Sequence, residues 1–320
     1  MTAAPPTTAD RLARLLVDFD AGKPAALARA VSMVENQRDG FEQLLTTLHP
    51  RVGRARRIGV TGPPGAGKST LSTRLVNEYR AAGLRVGVIA VDPTSPFTGG
   101  ALLGDRVRME SVALDPGVFI RSLATRGSLG GVSSATRAVA DVLDAFGFDR
   151  IIIETVGVGQ SELDIARTAD STIVVLVPES GDSIQALKAG LMEIADLFVV
   201  NKADRPGADE TARDLAQMLR LGKGRTAWVP PIVRTSAQTG DGLPQLLDSI
   251  AKHRAWSEES GERERRRREA ARAEVESLLR EELVRRLAGR IGADRLEAAV
   301  ARVADRAIDP YAAVEELLGK

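Results

Sequence analysis

The chain has no cysteine, and aromatic side chains make up only 3% of its 320 residues. The first absence excludes a disulfide framework and any thiolate metal centre, without fixing the compartment. The second leaves aliphatic side chains and alanine to fill the core. Net charge is scarce too: 44 Lys and Arg face 43 Asp and Glu, leaving +1 overall. Such a balance gives no support to a broad electrostatic attraction, so neither nucleic acid nor a membrane surface is an expected partner. No apolar run approaches the roughly 20 residues that cross a bilayer. The opening MTAAPPTTAD carries neither a basic stretch nor an apolar one. It reads as a short tail rather than an export signal, and the expected location is cytoplasmic. Histidine is limited to His49 and His253, and each reads as an ordinary surface or helix-end residue.

What is present is a 43% apolar fraction, ample for one large α/β domain with appendages. Leu12, Leu15, Leu16 and Phe19 recur at helical spacing, as do Leu27, Ala30, Val31 and Val34, and then Leu44, Leu45 and Leu48. Residues 1–50 are therefore expected to form an N-terminal helical extension. From Arg56 short β-branched runs take over: RIGV, RVGVIAV, GVFI, RIIIE, STIVVLV, LFVV and PIVRT. Apolar runs without alternation indicate strands covered on both faces. The expected core is a doubly wound, mostly parallel sheet in a domain spanning 51–255.

After Trp256 the composition turns to alternating acid and base, with a run of four arginines. Glu262 and Glu264 precede Arg266 and Arg268 at i,i+4 spacing, as Glu281 and Glu282 precede Arg285 and Arg286, which marks a solvated helix. Val275, Leu279, Leu283 and Leu287 form an apolar stripe with Leu278 beside it, a face that must bury itself on something. Gly289 and Gly292 are expected to end this helix. Residues 256–320 read as a C-terminal helical arm for pairing two copies.

The sharpest motif is GPPGAGKST, Gly62 to Thr70 (Gly62, Pro63, Pro64, Gly65, Ala66, Gly67, Lys68, Ser69, Thr70), set between an expected strand and an expected helix. Gly62, Gly67, Lys68 and Ser69 satisfy G-x-x-x-x-G-K-[ST]. Glycines let backbone N–H groups close around phosphate oxygens, and the following helix N-terminus adds positive potential. Lys68 is placed to reach the β/γ-phosphates and Ser69 to ligate Mg²⁺. Base identity is expected from Asn201-Lys202-Ala203-Asp204 after the strand LFVV. The Asp204 carboxylate can accept from both N1–H and N2–H₂ of guanine, a donor pair adenine lacks. Ser236-Ala237-Gln238 follows the last strand and can offer backbone N–H to guanine O6. GTP and GDP are the nucleotides implied. Glu154, at the tip of RIIIE, with Gly157 three residues on, has the DxxG switch form with Glu replacing Asp. Asp92 opens the Gly/Pro-rich stretch DPTSPFTGGALLGDRVRM, which contains Asp105. Lys68, Asp92, Asp105 and Glu154 are the candidate catalytic residues, and Ser69, Asp92, Asp105 and Glu154 the candidate Mg²⁺ ligands.

GPPGAGKST, DPTSPFTGGALLGDRVRM, TRGSLGGVS, ETVGVGQSE, NKAD and TSAQTGDGL together resemble the MeaB family of P-loop GTPases over essentially the whole chain. The resemblance implies a homodimeric chaperone of an adenosylcobalamin-dependent acyl-CoA mutase, usually methylmalonyl-CoA mutase. In that family, GTP binding and hydrolysis gate cofactor loading and removal of damaged cofactor. It implies slow hydrolysis raised by the partner, with no direct cobalamin binding expected here. It also implies that PESGDSIQALK, Pro178 to Lys188, relays nucleotide state. Three rivals remain: a small-molecule P-loop kinase, a kinase or ATPase of a lysine/arginine/ornithine transport system, and a nickel-insertion GTPase. The first does not require NKAD, the second would prefer ATP, and the third would want clustered His or Cys.

Overall fold

The computed structural model describes residues 7–93, 109–125, 131–155, 161–178, 189–221 and 227–319. All seven apolar runs form strands: β1 Arg56–Thr61, β2 Val86–Pro93, β3 Val118–Thr125, β4 Arg150–Thr155, β5 Ser171–Leu176, β6 Leu197–Val200 and β7 Ile232–Arg234. They make one parallel sheet in the order β3-β2-β4-β1-β5-β6-β7. The absence of alternation has the expected cause. Ile151, Ile152 and Ile153 of β4 are at most 1% exposed, so successive residues are buried on both faces.

Helices α1 Thr8–Asp20, α2 Pro24–Glu35 and α3 Phe41–Leu48 form where the N-terminal periodicity placed them. A reciprocal Thr7–Asp10 capping box opens α1, and Gly40 takes φ +89° ahead of α3. Their apolar faces share one buried cluster with Ile89 of β2, Ile151 and Ile153 of β4, and Val139 and Leu143 of the helix Gly131–Ala145. Helix α4, Lys68–Ala81, follows β1 and lies in a cluster on Ile58, Val60, Ile152 and Val175. Further along are α5 Glu110–Ala113, α6 Gly131–Ala145, α7 Ser161–Thr168, α8 Ala189–Ile194, α9 Ala208–Leu221 and α10 Leu243–Glu259.

The chain divides into two compact units, Met1–Arg266 and Arg267–Lys320. The division falls inside the long helix α11, Glu262–Ile291. This helix runs through Gly289 and stops only at Gly292, which takes φ +77°, so Gly292 alone ends it. An isolated glycine lowers helix propensity by only about 1 kcal/mol, too little to break thirty residues of otherwise good helix formers. The i,i+4 spacing holds for Glu262–Arg266 at 2.8 Å and Glu282–Arg286 at 2.7 Å. The second unit also contains α12 Ala293–Ala304 and α13 Pro310–Leu318, tied by Arg302 to Glu316 at 2.8 Å. Among the described residues, no helix is long and apolar enough to cross a membrane.

Candidate nucleotide site

The motif residues gather at the carboxyl ends of β1, β4, β6 and β7, the side on which ligands of open α/β sheets bind. β1 delivers Thr61 and the loop Gly62–Gly67, β4 delivers Glu154, and the turn after β6 delivers Asn201 to Asp204. The turn after β7 delivers Ser236 to Gln238. Val60 is in register with Glu154 across the β1–β4 pair, so the strand feeding the loop runs beside the strand bearing the carboxylate. The Thr61 and Thr155 hydroxyls join these two strand ends at 2.9 Å.

Two glycines are required by close approach. Gly62 has φ +137°, and a Cβ there would meet the Val175 carbonyl oxygen at 2.1 Å. Gly67, at φ +87°, lies so close to Asn201 that a Cβ would meet Nδ2 at 2.4 Å. Lys68 is buried and donates from Nζ to the Gly62 and Pro63 carbonyls, 2.9 Å each. Its ammonium therefore already lies within the arc of the loop. The Ser69 hydroxyl donates to Glu154 Oε1 at 2.6 Å, both side chains being buried. A hydroxyl beside a carboxylate is a set of hard oxygen donors suited to Mg²⁺, which completes its octahedron with water and phosphate oxygen. Pro64, Gly65 and Thr70 are exposed, whereas Ala66 is buried.

Asn201 joins three segments. Its Nδ2 donates to the Ala66 carbonyl at 2.8 Å, while Oδ1 accepts from Thr235 Oγ1 at 3.2 Å and from the Ala237 N–H at 3.1 Å. Lys202 sits in the left-handed region, φ +56°, which turns the chain sharply after β6. Asp204 is exposed, and its carboxyl lies below the usual range because the Ser236 side chain and its own backbone N–H hydrogen-bond the charged form. At neutral pH it is thus an anionic acceptor, as a guanine edge demands. Asp92 is the penultimate residue of β2, its backbone in register with Ala124. Asp105, Gly157 and nearly all of the segment Pro178 to Lys188 lie outside the described residues, as does most of the stretch beginning at Asp92.

Besides the Thr61–Thr155 pair, sequence spacing did not reveal two further features. Arg74 of α4 donates from Nε to the Ala237 carbonyl at 2.9 Å and from Nη2 to the Gln238 carbonyl. The second is the environment of His253, which is fully buried rather than at the surface, whereas His49 is exposed. His253 Nδ1 is 2.8 Å from Ser171 Oγ and its Nε2 is 3.2 Å from Asp196 Oδ1. Trp228 and Trp256 flank the ring at 5.1 and 5.7 Å. Arg266 also bonds Asp196, at 2.9 and 2.7 Å, so this arginine of the basic run is not simply solvated. The Ser–His–Asp order imitates a hydrolase triad, but Ser171 and Asp196 stand at the amino-terminal ends of β5 and β6, opposite the loops. At 4%, 0% and 3% exposure the group is sealed from substrate and acts as a polar structural centre.

A parallel sheet with a phosphate loop on β1 and a guanine-type base loop after β6 defines a P-loop nucleotide-binding protein of the GTPase class. Residues 27–291 match the family model described as "Methylmalonyl Co-A mutase-associated GTPase MeaB", and the chain belongs to that family. It is 40% identical over 239 residues to "GTPase ArgK" of Escherichia coli, covering 72% of each chain. The mouse "Methylmalonic aciduria type A homolog, mitochondrial" is 35% identical over 267 residues, 78% of this chain and 64% of the mouse protein. A crystal structure titled "LAO/AO transport system kinase" superposes with a TM-score of 0.74 at 28% identity, covering 99% of both chains.

Proposed function

We propose that this GTPase couples Mg²⁺-dependent GTP hydrolysis to the care of an adenosylcobalamin-dependent acyl-CoA mutase, gating cofactor loading and reactivation. The observation that carries the nucleotide half is the linkage of phosphate loop to base loop through Asn201, with an ionised Asp204 at the base position. The mutase half is supported by the family description and by the name of the mouse relative.

In this reading Gly62 to Thr70 wrap the phosphates, Lys68 exchanges loop carbonyls for β/γ oxygens, and Asp204 selects guanine with Asn201, Lys202 and the Ser236–Gln238 turn around it. Bound Mg²⁺ would neutralise charge developing on the phosphate oxygens. Ser69, Glu154 and the aspartates 92 and 105 are its proposed ligands, and Gly157 the proposed γ-phosphate sensor. Hydrolysis is slow alone and raised by the partner. The proposed working form is a cytoplasmic homodimer paired through residues 256–320, around a GTPase domain of 51–255 and the helices of 1–50.

The test is GTPase turnover with and without purified cobalamin mutases, beginning with methylmalonyl-CoA mutase. Binding with a raised rate is the expected result, and no binding with an unchanged rate overturns the mutase half. The full-length likeness to the transport-system kinase supports a second reading. It requires ATP to bind as tightly as GTP, which a direct affinity comparison decides.

A further inference from the structure

The Arg74 guanidinium makes its two bonds to consecutive carbonyls, those of Ala237 and Gln238. A planar fork engaging both fixes the orientation of the intervening peptide more firmly than a single point charge could. In a trans peptide the carbonyl of one residue and the N–H of the next point in opposite directions. Holding the Ala237 carbonyl toward α4 therefore turns the Gln238 N–H the other way. The neighbouring Ala237 N–H is set by a second tie, to Asn201 Oδ1 at 3.1 Å. Below it, Ser236 is anchored by an N–H bond to the Asp241 carbonyl at 3.0 Å.

Arg74 shares one rigid helix with Lys68 and Ser69, six positions from the lysine, or about 9 Å of helix rise. The helix that opens on the phosphates thus also holds the base turn.

We infer that Arg74 is a positioning residue for base selection: it aims the Gln238 backbone N–H at the 6-oxo group of guanine, beside an Ala237 N–H held by Asn201. It acts through that amide and does not itself touch nucleotide. The inference rests on the guanine reading above.

The experiment measures affinities for GDP, ADP and 6-thio-GDP in the full chain and in Arg74→Lys and Arg74→Ala. Sulfur at position 6 is a weaker acceptor, while N1–H and the 2-amino group are retained for Asp204. A neutral hydrogen bond of ordinary strength gives the unaltered protein a preference of roughly five-fold for GDP over 6-thio-GDP. That preference is expected to fall below about two-fold in Arg74→Ala, with Arg74→Lys between, because one ammonium cannot hold both carbonyls. With GTP, KM rises while kcat stays within about two-fold, the mark of lost uniform binding. A GDP-to-6-thio-GDP ratio unchanged in both variants, even if both affinities fall alike, overturns the inference and leaves Arg74 a structural tie. Equal binding of GDP and ADP by the unaltered protein overturns the guanine reading, and the inference with it. Should Arg74→Ala not fold, the Arg74→Lys ratio alone decides.

Discussion

Between Arg56 and Arg234 side chains such as Ile152, Phe198 and Leu123 are at most 2% exposed. Beyond Arg266, by contrast, Val275, Leu278, Leu279, Leu283 and Val284 leave 50% or more of their surface open. The first region carries its own core on both faces of the sheet and ties its loops with side chain–backbone bonds. The second has Ala313 as its one buried apolar residue among those described. Its part of α11 carries surface ion pairs such as Glu282–Arg286, each worth little. A contiguous apolar stripe with so little beneath it is the pattern of a surface awaiting a partner. The contrast separates a region that buries its own apolar surface from one that leaves it open, which is the surface the proposed pairing of two copies would cover.

The strongest test of that contrast removes a support from the first region. Asp196→Ala leaves buried His253 without its carboxylate and Arg266 with Glu262 alone, and should lower unfolding free energy by roughly 3–5 kcal/mol in urea titrations. Burial pushes the Asp196 carboxyl up, but hydrogen bonds from His253 and Arg266 overcome it and hold the group below its usual range. The Arg265 and Arg266 hydrogen bonds likewise hold Glu262 at about 2 against burial. Groups with lowered folded-state pKa contribute fully above their unfolded value near 4 and lose that contribution as pH falls through the folded value. Stability should therefore decline between about pH 4 and pH 2, and less steeply in Asp196→Ala.

Gly62→Ala forces a Cβ into the Val175 carbonyl and should cost roughly 3 kcal/mol while abolishing detectable GDP binding by calorimetry. Asp204→Asn leaves the fold intact but presents an amide donor to guanine donors. GTP affinity should fall about 10- to 100-fold in equilibrium dialysis, with xanthosine triphosphate gaining. In the second region Leu283→Asp should leave the thermal midpoint of dilute protein unchanged and shift sedimentation from dimer to monomer. A stability loss with no change in association would break the comparison. Smallest of all, Glu282→Ala removes exposed pairs with Arg285 and Arg286 and should not move the midpoint measurably.

The strands and phosphate loop were legible because their signals are local. A strand covered on both faces writes itself as an uninterrupted β-branched run, and the loop's chemistry needs fixed residues at fixed spacing. Periodicity around Leu27 and Val31 showed that the N-terminal helices bury a face, but not that the face joins the sheet's cluster rather than a separate core. Arg74, the Thr61–Thr155 pair and the His253 centre were hidden for one physical reason. Each is a contact between residues far apart in sequence, and neither partner's local spacing encodes the other. His253 lies on α10 amid Ala251, Lys252 and Arg254, where nothing marks the side of the helix facing Asp196. Asp105 and Gly157 fall outside the described residues, so their part in the site rests on motif form alone.

The Asp144 carboxylate is 1% exposed and accepts three successive backbone N–H groups, from Gly53, Arg54 and Ala55, at 2.7, 3.1 and 2.9 Å. This is the short connection between the N-terminal helices and β1, the place where a boundary between helices and sheet would be cut. With its amides bound to a buried anion rather than to water, it cannot serve as a hinge. Its protons should exchange with deuterium only when the sheet itself opens. The helices α1 to α3 are thereby fastened to the sheet, and a protease seeking a linker there should find none.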